Sequence, residues 1–159
     1  MAAMKLSDST FTVNGIEVPF RLFTPKNAKA DWAVLWLQGF RSTIEGHTEG
    51  VIRMAKQSGT TFAMINYAGH GDHPVELPEA SREQQLNEVL AAYDKLTKIG
   101  FSKIIVIGGS FGSYMAALLV AERHVAGLVL RCPAIYEDDE FTLPFKETLG
   151  AKSGESIDL

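Results

Sequence analysis

Four short apolar segments, separated from one another by stretches with helical patterning, constrain the fold of this chain more than any other feature. They are residues 32–37, 61–67, 103–107 and 125–130. Continuous apolar runs of this length are typical of strands that are covered on both faces, as in a parallel sheet. Their alternation with helices predicts an α/β fold in which right-handed crossovers place helices on both faces of the sheet.

The segments between these strands carry helix start and stop signals. The clearest helix follows Ser81, which forms a capping-box pattern with Gln84, and Gly100 is expected to end it. Helical spacing also predicts helices over residues 47–58 and 110–123.

The chain begins differently, with an antiparallel hairpin. Residues 10–13 and 16–23 are β-rich and flank the Asn14-Gly15 pair, which is typical of type I′ turns. We therefore expect one domain over residues 1–159, a mostly parallel sheet after an antiparallel start. Its end, about residues 142–159, is expected to be a poorly ordered tail.

Composition excludes several classes of function. The net charge is −4 and no basic run is interleaved with aromatics, so a nucleic-acid partner is not expected. The single cysteine, Cys132, rules out an intramolecular disulfide and a cysteine-based zinc site, and is expected to be buried. Apolar stretches fall short of the about 20 residues of a membrane span, and residues 1–8 lack the apolar core of a signal peptide. We expect a cytoplasmic chain without a membrane partner.

One motif carries chemistry: residues 108–112, Gly-Gly-Ser-Phe-Gly, between a predicted strand and a predicted helix. A serine hydroxyl is a weak nucleophile, so it must project from a tight turn toward a base and near oxyanion donors. Glycines two residues before and after Ser110 permit such a turn. Ser110 is the predicted nucleophile, with the Phe111 N–H as one oxyanion donor. The alternative is a glycine-rich turn without a nucleophile.

A second oxyanion donor is expected in the loop that follows residues 32–37. The Gln38-Gly39-Phe40 stretch lies there, and the Phe40 N–H is the candidate. Alternatively, Gly39 only ends the strand and Phe40 packs on the surface. Ser113 is interpreted as a packing or capping residue.

These stretches resemble the N-terminal half to two-thirds of an α/β hydrolase, in particular the branch with serine aminopeptidases and monoacylglycerol lipase-like enzymes. The likeness covers about residues 11–141 and is carried by residues 35–40, 66–71, 128–134 and the Ser110 motif. It implies an acyl-enzyme at Ser110 and a small acyl substrate, and no motif implies a cofactor or a metal. Two departures are Gln38, where the family commonly has His, and the pair Asn66 and Ala68, where it has Asp and Arg.

The resemblance also implies that an acid and then a histidine follow the serine. No histidine follows Ser110 in a matching position, so the sheet is expected to lack its last strands and the sequence to be a fragment. The weak candidates for the missing base and acid are His47, His70, Asp138 and Asp139. The alternatives are that His47 is a solvated residue at a helix start and that His70 structures its loop. Asp138 and Asp139 would then belong to a solvated acidic loop. The exposed sheet edge is expected to recruit a complementing C-terminal segment or a second copy.

The leading hypothesis is a serine hydrolase acting on an ester or related acyl bond, with the acid and base supplied from outside this segment. The alternative is a non-catalytic α/β-hydrolase-like binding module or inactive fragment. A nucleotide-binding domain is disfavoured, since no Walker lysine follows residues 108–113 and their spacing is not G-x-G-x-x-G.

Overall fold

The computed structural model describes residues 3–136 and 138–148, in which six strands form one sheet. The strands are β1 (Met4–Val13), β2 (Ile16–Pro25), β3 (Trp32–Leu37), β4 (Thr61–Ile65), β5 (Lys103–Gly109) and β6 (Gly127–Arg131). Their spatial order is β1-β2-β4-β3-β5-β6. β1 pairs antiparallel with β2 and β2 with β4, whereas the β4-β3, β3-β5 and β5-β6 pairs are parallel. The predicted mostly parallel sheet with an antiparallel start is confirmed.

Helices cover both faces of this sheet. The described helices are α1 (Ile44–Ser58), α2 (Arg82–Ile99), α3 (Phe111–Glu122) and the short α4 (Phe145–Thr148). In β3, Val34 and Trp36 pack in one apolar cluster with Val51 of α1. The alternate residues, such as Leu35, pack in a second cluster with α2 and α3. None of the helices in the described part of the chain is long and apolar enough to cross a bilayer.

Local signals explain where these elements begin and end. The Ser81 hydroxyl accepts the Gln84 N–H at 3.1 Å and begins α2, as the capping-box pattern predicts. Asn14 and Gly15 have φ values of 50° and 81°, the positive pair that a type I′ turn requires. α1 begins earlier than predicted because Thr43 caps it, accepting the Gly46 N–H at 3.2 Å.

The edge strand β6 differs from the prediction of a buried strand. Leu128, Val129 and Leu130 are 38%, 45% and 41% exposed. Among the described strands β6 pairs only with β5, so its free side and much of its apolar surface face solvent. The sheet thus ends in an apolar edge.

Part of the expected tail is packed against the domain, which corrects the prediction of a poorly ordered end from residue 142. Phe145 in α4 is 1% exposed, and its N–H donates to the Ala80 carbonyl at 2.9 Å. Burial of this aromatic ring holds residues 145–148 against the start of α2. Residues 149–159 lie outside the described residues.

A buried polar network holds the loop that follows β4 against α2. The Glu88 carboxylate accepts three hydrogen bonds: from the Ala68 N–H at 2.7 Å, from the Gln84 amide at 3.1 Å and from His73 Nε2 at 3.1 Å. His73 Nδ1 accepts the Val75 N–H, which assigns the ring proton to Nε2. A buried carboxylate is stable only with such partners, so Glu88 fixes the course of this loop.

The start of α3 lies against the ends of β3 and β5 without room for a side chain. A Cβ on Gly112 would lie 2.1 Å from the Leu37 carbonyl oxygen, and one on Gly108 would lie 2.3 Å from the Gly112 oxygen. A Cβ on Gly109 would have no atom within 4 Å. Glycine is therefore required at positions 108 and 112, and position 109 is sterically open.

Replacing Gly112 with alanine should destabilise the fold by about 1–3 kcal/mol or more, because the added methyl group overpacks the contact with Leu37. Gly109→Ala is the matched control and should change stability by less than about 0.5 kcal/mol. Urea unfolding followed by circular dichroism measures both. Equal stability of the two variants would contradict the close contact.

Glu88→Gln should lower the free energy of unfolding by about 2–3 kcal/mol, because an amide NH₂ would face hydrogen-bond donors in a buried site. Glu83→Gln, on the exposed face of the same helix, is the control and should be nearly neutral. Thermal and urea unfolding report the difference. A neutral Glu88→Gln would show that the network does not hold the loop.

Candidate active site

Ser110 occupies the single-residue turn between β5 and α3. Its backbone has φ 51° and ψ −117°, a conformation that residues other than glycine rarely adopt. The Ser110 N–H donates to the Arg131 carbonyl at 2.8 Å, which ties the turn to the end of β6. The side chain is exposed and makes no capping hydrogen bond to α3. Its hydroxyl therefore projects from a strained, anchored turn.

The buried Ser113 hydroxyl stabilises this turn through hydrogen bonds to the two strands beside it. It donates to the Gly108 carbonyl at 2.6 Å and accepts the Arg131 N–H at 3.1 Å. One side chain thus joins α3 to the ends of β5 and β6. This agrees with its interpretation as a packing residue.

The loop after β3 passes next to Ser110. A Cβ on Gly39 would lie 3.6 Å from both the Gly109 oxygen and the Ser110 Cβ. The Phe40 and Phe111 rings meet edge to face, with centroids 5.7 Å apart, so Phe40 packs in the interior of the site rather than on the open surface. Neither the Phe40 N–H nor the Phe111 N–H has an acceptor among the described residues. Both candidate oxyanion donors are therefore unpaired within the described part of the chain.

Gln38 and Asn66, two of the departures from the family pattern, hold these loops in place. The Gln38 amide donates to the Ile65 carbonyl at 2.6 Å. Asn66 Oδ1 accepts the Ile44 N–H at 2.9 Å, and its NH₂ donates to Asp72 at 2.8 Å. Both side chains are buried and join the loops after β3 and β4 to the sheet and to α1.

His70 is buried, and none of its described hydrogen bonds reaches Ser110. Its Nε2 accepts the Arg41 N–H at 3.0 Å, and its Nδ1 lies 3.1 Å from the Ala68 carbonyl, to which it donates. Burial lowers the pKa of His70, so the neutral ring is favoured. With both nitrogens engaged, His70 organises the loop that carries Phe40 and is not placed to act as a base.

His47 lies nearer to the chemistry. It lines a cavity of about 270 Å³ together with Ser110, and its ring centroid is 5.9 Å from that of Trp36. Burial, followed by the positive charge of Arg131, lowers the pKa of His47. No hydrogen bond joins His47 to Ser110 within the part of the chain that the structure describes. The structure thus brings His47 to the cavity without placing it as a base.

The acidic candidates follow β6 in a short 3₁₀ helix, Asp138–Glu140. The Asp139 side chain is exposed, and none of the described hydrogen bonds or ion pairs joins it to the cavity. The Asp138 side chain lies outside the described residues. The structure thus does not join Asp139 to a histidine by any described hydrogen bond or ion pair.

Arg131, Cys132 and Ser42 also line this cavity, and the sequence reasoning assigned none of them to it. Cys132 is exposed, with φ 48°, so the prediction of a buried cysteine is wrong. It follows the last residue of β6, where the chain turns away from the sheet. The positions of these three residues in the sequence could have indicated that they line the cavity. Ser42 follows β3, and Arg131 and Cys132 lie at the end of β6, and the carboxyl ends of parallel strands meet at the same edge of a sheet.

A larger cavity, of about 760 Å³, lies between the hairpin and the start of α1. It includes no residue of the Ser110 turn, and its charged lining is partly neutralised because Arg21 pairs with Asp8 and Glu45. In residues 3–136 and 138–148, no cluster of His, Cys, Asp or Glu side chains is arranged to hold a metal ion. The Ser110 cavity is therefore the site with the clearest chemical features.

Solved structures of esterases and hydrolases are similar to this chain. A putative hydrolase from Agrobacterium vitis S4 is 23% identical, with a TM-score of 0.66, and the match covers 96% of this chain and 62% of that protein. A bacterial heroin esterase is 23% identical, with a TM-score of 0.69 and coverage of 84% and 45%. Est1E from Butyrivibrio proteoclasticus, with ferulic acid bound, is 22% identical, with a TM-score of 0.65 and coverage of 72% and 47%.

At these identities the likeness concerns the fold, and the chain spans about half to three-fifths of the length of these proteins. The family model for the alpha/beta hydrolase fold matches residues 33–152, about three quarters of the chain. The matched region includes β3 from its second residue onward, the Ser110 turn and β6. The chain belongs to the alpha/beta hydrolase fold family.

Proposed function

We propose that this chain carries the nucleophile of a serine hydrolase that cleaves an ester or related acyl bond of a small substrate. The observation that carries the proposal is the Ser110 turn: an exposed residue with positive φ at the start of α3, packed against Gly39 of the loop after β3. Strain of this kind at a site exposed to solvent is typical of functional residues. The esterases among the similar structures support the reaction class.

The reaction would proceed through two balanced steps. Ser110 Oγ attacks the acyl carbon while a general base takes its proton, and the carbonyl oxygen becomes an oxyanion. The N–H groups of Phe40 and Phe111 donate to this oxyanion at the start of α3, where the helix dipole favours negative charge. The leaving alcohol takes the proton, and water then attacks the acyl-enzyme to release the acid and regenerate Ser110.

The base and its acid would come from a chain segment outside the described residues. His70 is engaged on both ring nitrogens, and His47 makes no described hydrogen bond to Ser110. We propose that the complementing segment packs along β6, where three consecutive apolar side chains are exposed beside Arg131. A second copy of the chain is the alternative occupant of that edge.

A second candidate function is a non-catalytic binding module. The observation that favours it is that no described histidine forms a hydrogen bond with Ser110. Without a base, an oxyanion hole and substrate binding leave only modest catalysis. Covalent labelling of Ser110 separates the two candidates.

Expressed as its complete reading frame, the wild-type protein should react with a fluorophosphonate probe at Ser110, and Ser110→Ala should abolish labelling. Ser42→Ala is the matched control, because Ser42 lines the same cavity outside the turn. Gel fluorescence and peptide mass spectrometry identify the labelled residue. Equal labelling of wild type and Ser110→Ala would reject the proposal, and an unlabelled wild type would favour the binding module.

Phe40→Pro should reduce the turnover of 4-nitrophenyl acetate by about 10²–10³-fold, because proline lacks the N–H that would donate to the oxyanion. Phe40→Leu keeps that N–H while removing the ring contact with Phe111, so it should retain most of the activity. Melting curves of both variants verify folding. Similar losses in the two variants would show that the ring, and not the N–H, matters.

A further inference from the structure

Two adjoining cavities form a recess that begins at Ser110 and continues toward α1. The first, of about 270 Å³, includes Ser110, and the second, of about 280 Å³, includes Arg53. Trp36, His47 and Arg131 line both, so the two volumes share a wall. We call the space lined by these five residues the cationic recess.

The charge of the recess is one-sided. The guanidinium groups of Arg131 and Arg53 have no ion pair with any carboxylate in the described part of the chain. Among the described side chains no Asp or Glu lines either cavity, although the whole chain has a net charge of −4. A guanidinium presents planar donors that match a carboxylate in two parallel hydrogen bonds, so this recess favours an anionic group.

The size and walls of the recess limit what the anionic group can be attached to. Trp36, 6% exposed, lines both cavities and Met54 lines the one that holds Arg53, so apolar surface forms part of the walls. Ser110 and Arg131 share the cavity of about 270 Å³, which is smaller than the roughly 300–1,000 Å³ of sites for drug-sized ligands, so the distance between a reacting group and a group bound to Arg131 is short. A short aliphatic spacer fits these walls better than a long acyl chain.

We propose that the cationic recess binds the free carboxylate of a short dicarboxylic acid whose other carboxyl group is the acyl group presented to Ser110. Arg131 is the principal partner because it lines both cavities, and Arg53 is the second. The assignment of the reacting end rests on the proposed hydrolase function. The assignment of the carboxylate site rests on the recess alone.

The first test measures binding without any reaction. Titration of ¹³C-labelled succinate into the wild-type protein, followed by NMR, should show saturable binding, and Arg131→Gln should weaken it about tenfold or more, the effect of losing charged hydrogen bonds. Lys56→Gln removes one positive charge from an exposed position of α1 outside the recess and should leave succinate binding unchanged. Absence of saturable binding, or equal binding to wild type and Arg131→Gln, would overturn the inference.

The second test compares two esters of equal acyl length, 4-nitrophenyl hemiglutarate and 4-nitrophenyl pentanoate. The wild-type protein should hydrolyse the charged ester with the higher kcat/KM, and Arg131→Gln should reduce the ratio of the two kcat/KM values by about tenfold. Lys56→Gln should preserve the ratio. An unchanged ratio in Arg131→Gln would contradict the assignment. Displacement of labelled succinate by inorganic phosphate, at the same concentration as by unlabelled succinate, would also contradict it.

These tests separate the inference from the function on which it partly rests. Succinate binding that depends on Arg131, in a protein whose Ser110 is not labelled by fluorophosphonate, would support the carboxylate site and reject the hydrolase. Labelling of Ser110 in a protein that does not bind succinate would support the hydrolase and reject the carboxylate site.

Discussion

No side chain fits between the first turn of α3 and the ends of β3 and β5, and the geometry of the candidate site depends on this contact. With Gly112 against the Leu37 carbonyl and Gly108 against Gly112, the chain must pass from strand to helix within one residue. Ser110 accordingly adopts φ 51°. The same contact sets the Phe111 N–H at the helix start, where a helix has unpaired donors. Backbone packing therefore determines both the exposed hydroxyl and one of its neighbouring donors.

Hydrogen bonds through the loop after β4 also fix the loop after β3 next to the site. Glu88 binds this loop through Ala68 and His73, and His70 on the same loop accepts the Arg41 N–H. Arg41 follows the residue that carries the other candidate oxyanion donor, so a buried carboxylate on α2 is linked to the loop after β3 by consecutive hydrogen bonds. Such a network is stable only when every member is satisfied, which explains why a loop of this polarity is buried.

The sequence was informative wherever a local pattern determines the structure. The Ser81 cap, the Asn14-Gly15 turn and the strand before Ser110 each depend on residues within a few positions. It was uninformative where the outcome depends on distant partners. The role of His70 is set by Arg41, 29 positions away, and the exposure of Cys132 follows from the end of β6 at a sheet edge. The cationic recess likewise combines residues of β3, α1 and β6, so no single segment indicates it.

The anchoring of Ser110 to the Arg131 carbonyl has a consequence for the integrity of the site. β6 is the strand at the open edge of the sheet, and edge strands are the ones that fray or are captured by foreign strands. Displacement of β6 would break the hydrogen bonds that Arg131 makes with the Ser110 amide and the Ser113 hydroxyl, and would leave that hydroxyl bonded to Gly108 alone. Fraying at the edge and loss of the Ser110 turn geometry would then be a single event. The backbone geometry of the candidate site and resistance to aggregation thus depend on the same strand.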